Sequence, residues 1–75
     1  MLRRDFIKLI DCFLGMTDMS PTMLGTLALE DPSFVLKLRR GREPREATQQ
    51  KVIDFMRSYA AAHEIDFDVE GRSNA

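Results

Sequence analysis

SPTMLGTLALEDPSFVLKLRRGREPR, residues 20–45, is the stretch whose reading decides the fold. Ser20-Pro21 and Asp31-Pro32 repeat one device: a side-chain oxygen that can cap a helix, then proline at the first helical position. Proline fits there because its missing N–H would be unbonded anyway and its φ is already helical. It also pushes the preceding residue out of the α region, so Asp31 breaks any continuous rod from 21 to 40. Gly41 stands where a helix end wants a residue free to adopt positive φ. The expectation is two helices, 21–29 and 32–40, each of about nine residues and too short to stand alone in water. The flanking segments must scaffold them.

Residues 2–15 read as an amphipathic helix. Leu2, Phe6, Ile7, Leu9, Ile10, Phe13 and Leu14 project to one side, with Arg4, Lys8 and Asp11 opposite. The polar face is mixed in charge, which favours core packing over a membrane surface. Cys12 has apolar neighbours in sequence and is read as a structural thiol. In the helix at 21–29, Leu24, Leu27 and Ala28 are expected to face the core. Gly25, costly inside a helix, is read as a place where a neighbouring element comes close.

The helix at 32–40 has two unlike faces. Phe34, Val35 and Leu38 share an arc and should anchor it, leaving Ser33, Leu36, Lys37 and Arg40 outward. That small, apolar and cationic mix suits base edges, thymine methyls and phosphates. Residues 42–47 form a connector around Pro44. Thr48 is a plausible N-cap for a longer helix running to 63, with Val52, Ile53, Met56, Tyr59 and Ala60 buried and Phe55 widening the face. This apolar surface exceeds one stripe, which points to a second subunit. EIDFDVE, residues 64–70, alternates acid and apolar with period two and reads as extended. It can lie back on the domain, pair with its copy, or extend free. The expected organisation is one domain over 1–63 and an acidic extended tail over 64–75.

Seventy-five residues with 44% apolar and 31% charged side chains describe a small globular domain. The net charge of −1 supplies no overall field toward a polyanion. Its distribution is uneven: residues 1–45 hold eight Lys/Arg against six Asp/Glu, and residues 46–75 hold three against six. Lys37, Arg39, Arg40, Arg42 and Arg45 crowd together against Glu43 alone. A single cysteine makes no internal disulfide and is compatible with a reducing compartment. No apolar run approaches the roughly 20 residues of a membrane span. Asp5, Lys8 and Asp11 interrupt any signal-peptide core. A cytoplasmic, nucleoid-associated location is therefore expected.

Enzymatic constellations are missing. His63 is a lone histidine at a helix end, read as a partner of the helix dipole. Asp66, Asp68 and Glu70 alternate as some calcium ligands do, but without the glycine and closing glutamate of that loop. No phosphate-cradling glycine-rich loop occurs. Neither enzyme activity, nor a cofactor, nor a metal is expected.

Residues 20–41 resemble the helix-turn-helix of the phage lambda repressor-like family of DNA-binding domains. The resemblance rests on Leu24-Gly25 in the first helix of the motif, Val35 and Leu38 three apart in the second, and the following Gly41. The string MSPTMLGTLALEDPSFVLKLRRGREPR is also similar to small helix-turn-helix regulators of alphaproteobacteria and their phages. Over roughly residues 2–63 the resemblance implies an all-α bundle of four to five short helices and sequence-specific binding of double-stranded DNA, with helix 32–40 in the major groove. It puts base reading on Ser33, Leu36 and Lys37, and phosphate contacts near Thr22 and on Arg40. Charge alone adds Arg39, Arg42 and Arg45 as phosphate contacts. Two positions depart from the pattern: Pro21 stands where many members have glutamine, which removes a phosphate clamp, and Gly25 where they have alanine. A homodimer is expected, through helix 48–63 or the tail. The rival expectation is a protein-interaction module of the same fold, binding RNA polymerase or another regulator.

Overall fold

A computed structural model describes residues 1–67. It is all-helical over that range: α1 (Arg3–Met16), α2 (Pro21–Leu29), α3 (Phe34–Arg39) and α4 (Glu46–Ala62). α2 packs on both α3 and α4, and α1 lies against α3. Residues 68–70 of the alternating acidic stretch, and the end of the chain, fall outside the described residues.

α1 forms where the apolar residues recur at helical spacing. Phe6, Leu9, Ile10 and Phe13 are buried, and Ile7 and Leu14 pack on the edge of the core. Cys12 is exposed, which corrects the reading of a structural thiol. Its apolar sequence neighbours do not bury it, because adjacent residues on a helix point about 100° apart. The link after α1 does more than connect. The Thr17 hydroxyl accepts the Met19 N–H at 3.2 Å and turns Met19 into the core, where it is 6% exposed.

α2 opens as the Ser-Pro pair predicts. Ser20 Oγ accepts the Met23 N–H at 3.1 Å, and Pro21 takes the first helical position. The helix ends on Glu30 in the left-handed region at φ 56°, its N–H bonded to the Thr26 carbonyl at 2.9 Å. Leu24 is fully buried and Ala28 half-buried, but Leu27 is 54% exposed, against the expectation that it faces the core. With Met23, one turn earlier and 50% exposed, it makes a short apolar strip on the outside of α2.

Gly25 is required by the turn that follows. The Asp31 N–H donates to the Gly25 carbonyl at 3.1 Å, and a Cβ on residue 25 would collide with the Asp31 carbonyl oxygen. Close approach was the expected role; the element that approaches is this backbone turn, with Phe34 Cβ beside it at 3.3 Å.

The Asp-Pro device works differently from the Ser-Pro one. Asp31 Oδ1 accepts the Ser33 N–H at 3.0 Å, closing a turn over Pro32 and Ser33, and the regular helix begins only at Phe34. α3 therefore spans six residues, not the whole of 32–40. Its end follows the prediction: Gly41 has φ 114°, its N–H bonds the Leu38 carbonyl and the Arg42 N–H bonds the Lys37 carbonyl, each at 3.1 Å. Phe34, Val35 and Leu38 are buried as expected, with the Phe34 ring edge-on to Phe6.

α4 starts at Glu46, two residues before the expected Thr48 cap, and no side chain caps it. Glu46 and Ala47 are good helix formers, and an acid in the first turn complements the helix dipole, so the helix needs no hydroxyl. Val52, Ile53, Met56 and Ala60 are buried; so is Gln49, whose Nε2 donates to the Met1 carbonyl at 3.0 Å. Glu64 adopts φ 55° and the Ile65 N–H returns to the Ala60 carbonyl at 2.8 Å, reversing the chain. Phe67 then packs edge-on to Phe13, with centroids 5.3 Å apart, and Phe13 also meets Tyr59. The apolar excess on α4 is thus used within the chain, on Phe13 and its neighbours, and the packed unit reaches Phe67, beyond the expected boundary at 63.

Candidate nucleic-acid interface

The candidate interface comprises the outer face of α3 and the turns at its two ends. Burying Phe34, Val35 and Leu38 leaves Leu36, Lys37 and Arg40 exposed and Ser33 half-buried. The four sit at helical spacing on one side. Leu36 is 51% exposed, a large apolar group standing among cations.

The charges sort into paired and unpaired. Lys37 Nζ meets Asp31 Oδ2 at 3.2 Å, across the turn rather than along the helix. Arg39 Nη2 meets Asp11 Oδ1 at 3.0 Å, so it leans back onto α1 and away from the Ser33–Arg40 face. Glu43 is taken by Arg3, Nε to Oε1 at 3.3 Å, and Arg3 also donates to the Leu38 carbonyl. Arg40, Arg42 and Arg45 have no ion-pair partner among the described residues. Pairing thus removes three of the local charges and concentrates the remaining positive potential just past α3.

Arg42 and Arg45 line an open depression of about 440 Å³ with Asp31, Phe34, Pro44 and Thr48. Thr22 is exposed on the first turn of α2, where its carbonyl accepts the Thr26 hydroxyl at 2.9 Å. Ser33, Leu36, Lys37 and Arg40 thus share the outer side of α3, and Arg42 and Arg45 follow directly after it in the depression beside Asp31. Arg39 is tied to the scaffold.

The residue that sequence reading underrated is Asp31, assigned only a cap. The Ser33 N–H holds its carboxyl below the usual carboxylate range; burial opposes it, and the Lys37 ammonium and then the Arg42 guanidinium add to the lowering. It is therefore an anion at neutral pH with one oxygen committed to the backbone. Its position six residues before Lys37 carries no helical signature, because the turn intervenes.

Among the described residues no cluster of three or more His, Cys, Asp or Glu could hold a metal ion, and no helix is long and apolar enough to cross a membrane. No family model, no curated protein and no solved structure matches this chain.

Proposed function

We propose that the chain is a sequence-specific DNA-binding transcriptional regulator of the helix-turn-helix kind, with a lambda repressor-like arrangement of α2 and α3. The observation that carries this reading is the outward face of Ser33, Leu36, Lys37 and Arg40 beside the unpaired Arg42 and Arg45. A six-residue helix is about 9 Å long and enters a major groove about 12 Å wide. Lys37 and Ser33 read base edges there, and Leu36 meets a thymine methyl. Arg40, Arg42 and Arg45 hold phosphates, with Thr22 on the flanking backbone. Arg39 joins them only by leaving Asp11, an exposed pair worth at most about 1 kcal/mol. One copy makes few contacts, so the reading includes a homodimer spanning half-sites about 34 Å apart, in the cytoplasm at the nucleoid.

Two substitutions test it. Lys37→Ala relaxes specificity at one base position and costs about 1–3 kcal/mol there, whereas Arg42→Ala weakens binding to every duplex alike. Equal effects of both on every sequence leave only non-specific binding. The second reading, a module that docks on RNA polymerase or another regulator, is favoured by the Met23–Leu27 strip and the net charge of −1. It predicts partner capture that is insensitive to salt, and no duplex binding.

A further inference from the structure

We infer that Asp31 and Lys37 act as one unit that reads a single G·C base pair, with guanine on the lysine side. The inference rests on the DNA-binding reading and goes beyond it by adding a carboxylate to the reader and naming the pair. Its basis is a fixed donor beside a fixed acceptor. Asp31 Oδ1 is held by the Ser33 N–H at 3.0 Å, which orients the carboxylate and leaves Oδ2 as the outward acceptor. Lys37 Nζ stands 3.2 Å from that oxygen and has two further N–H donors. Both side chains are partly exposed, Asp31 at 34% and Lys37 at 45%, so a base edge can reach them.

The major-groove edge of G·C offers the complement. Guanine presents N7 and O6 as acceptors, and cytosine presents the N4 amino donor next to O6. O6 and N4 are themselves joined by a Watson–Crick hydrogen bond, so they lie about 2.9 Å apart. An ammonium and a carboxylate oxygen at 3.2 Å match that spacing. Lys37 then donates to O6 and N7 while Asp31 accepts from N4. The reversed pairs C·G and A·T set donor against donor at the lysine. T·A keeps one acceptor and one donor in the right order but puts a methyl where Lys37 expects N7, and sets adenine N7 against the carboxylate. G·C is the pair without a conflict. An isolated Lys37 would favour guanine without refusing an acceptor beside it; Asp31 supplies that refusal, because an ionised carboxylate has no proton to offer.

The experiment is selection from a randomised duplex pool, followed by titration of the preferred duplex and its three variants at each position at one salt concentration. It uses the wild-type chain, Asp31→Asn and Lys37→Ala, each checked for helicity and thermal unfolding. Asparagine keeps the Ser33 bond through its carbonyl oxygen and replaces the outward acceptor with an amide donor. The wild type should prefer G·C at one position by about tenfold or more. Asp31→Asn should bind the other duplexes somewhat more tightly, having lost a negative charge, and lose the preference for G·C at that position, and Lys37→Ala should lose it at the same position. If Asp31→Asn tightens binding everywhere with every base preference intact, Asp31 is only a brake on Lys37 and the inference falls while DNA binding stands. If the wild type selects no duplex, the DNA-binding reading falls and takes this inference with it.

Discussion

Residues 25, 30 and 31 set the angle at which α3 leaves α2, and each does so by a backbone argument. Gly25→Ala should destabilise the domain by about 1–3 kcal/mol, because its Cβ meets the Asp31 carbonyl oxygen, and that loss outweighs the ~1 kcal/mol of helix propensity alanine brings. Glu30→Gly should act in the opposite sense, relieving a left-handed residue at φ 56° and raising stability by roughly 0.5–1 kcal/mol. Urea unfolding of both variants checks the pair of signs; an unchanged Gly25→Ala midpoint would mean the turn is not held as described. Asp31 adds a pH dependence. Its folded carboxyl titrates below 3.8, so the unfolded chain takes up the proton more readily. The stability it contributes is full well above 3.8 and is lost as pH falls through and below that value. Acid unfolding of the wild type against Asp31→Asn should show a difference that shrinks toward the acid end.

At the level of elements, capping was the most legible feature of the sequence and tertiary exposure the least. Ser20-Pro21 and Gly41 act through bonds to residues within five positions, so the chain states them outright. The buried trio Phe34, Val35 and Leu38 follows from helical spacing in the same way. Leu27 and Cys12 are exposed against expectation because burial depends on which neighbours arrive, not on helical spacing alone. The start of α3 was misplaced because an aspartate before proline can close a separate turn as well as cap a helix, and here it does the former. Arg39 looked like its basic neighbours, yet the ion pair to Asp11 reaches 28 residues back along the chain. Asp11→Asn frees Arg39 and removes a negative charge beside α3, so duplex affinity should rise a few-fold with base preferences unchanged. No change would leave Arg39 outside the interface.

Taken as a whole, the molecule is a small helical core with unpaired arginines gathered just past α3. α1 holds the C-terminal end of α3 at two points, Arg3 on the Leu38 carbonyl and Asp11 on Arg39, while Met19 and Phe67 fill positions that sequence pattern assigns to a linker and a tail. Periodicity announces neither contact, because one depends on the Thr17 hydroxyl holding the Met19 N–H and the other on the left-handed turn at Glu64. The net charge of −1 hides a local excess of Arg40, Arg42 and Arg45 that survives pairing. The central claim is that this excess holds duplex phosphates, and titration of the wild-type chain with duplex DNA across 50–200 mM salt tests it most directly. Three phosphate contacts predict that log K falls against log salt with a slope of about −3 per protomer. A flat salt response, or no binding at the lowest salt, would contradict it.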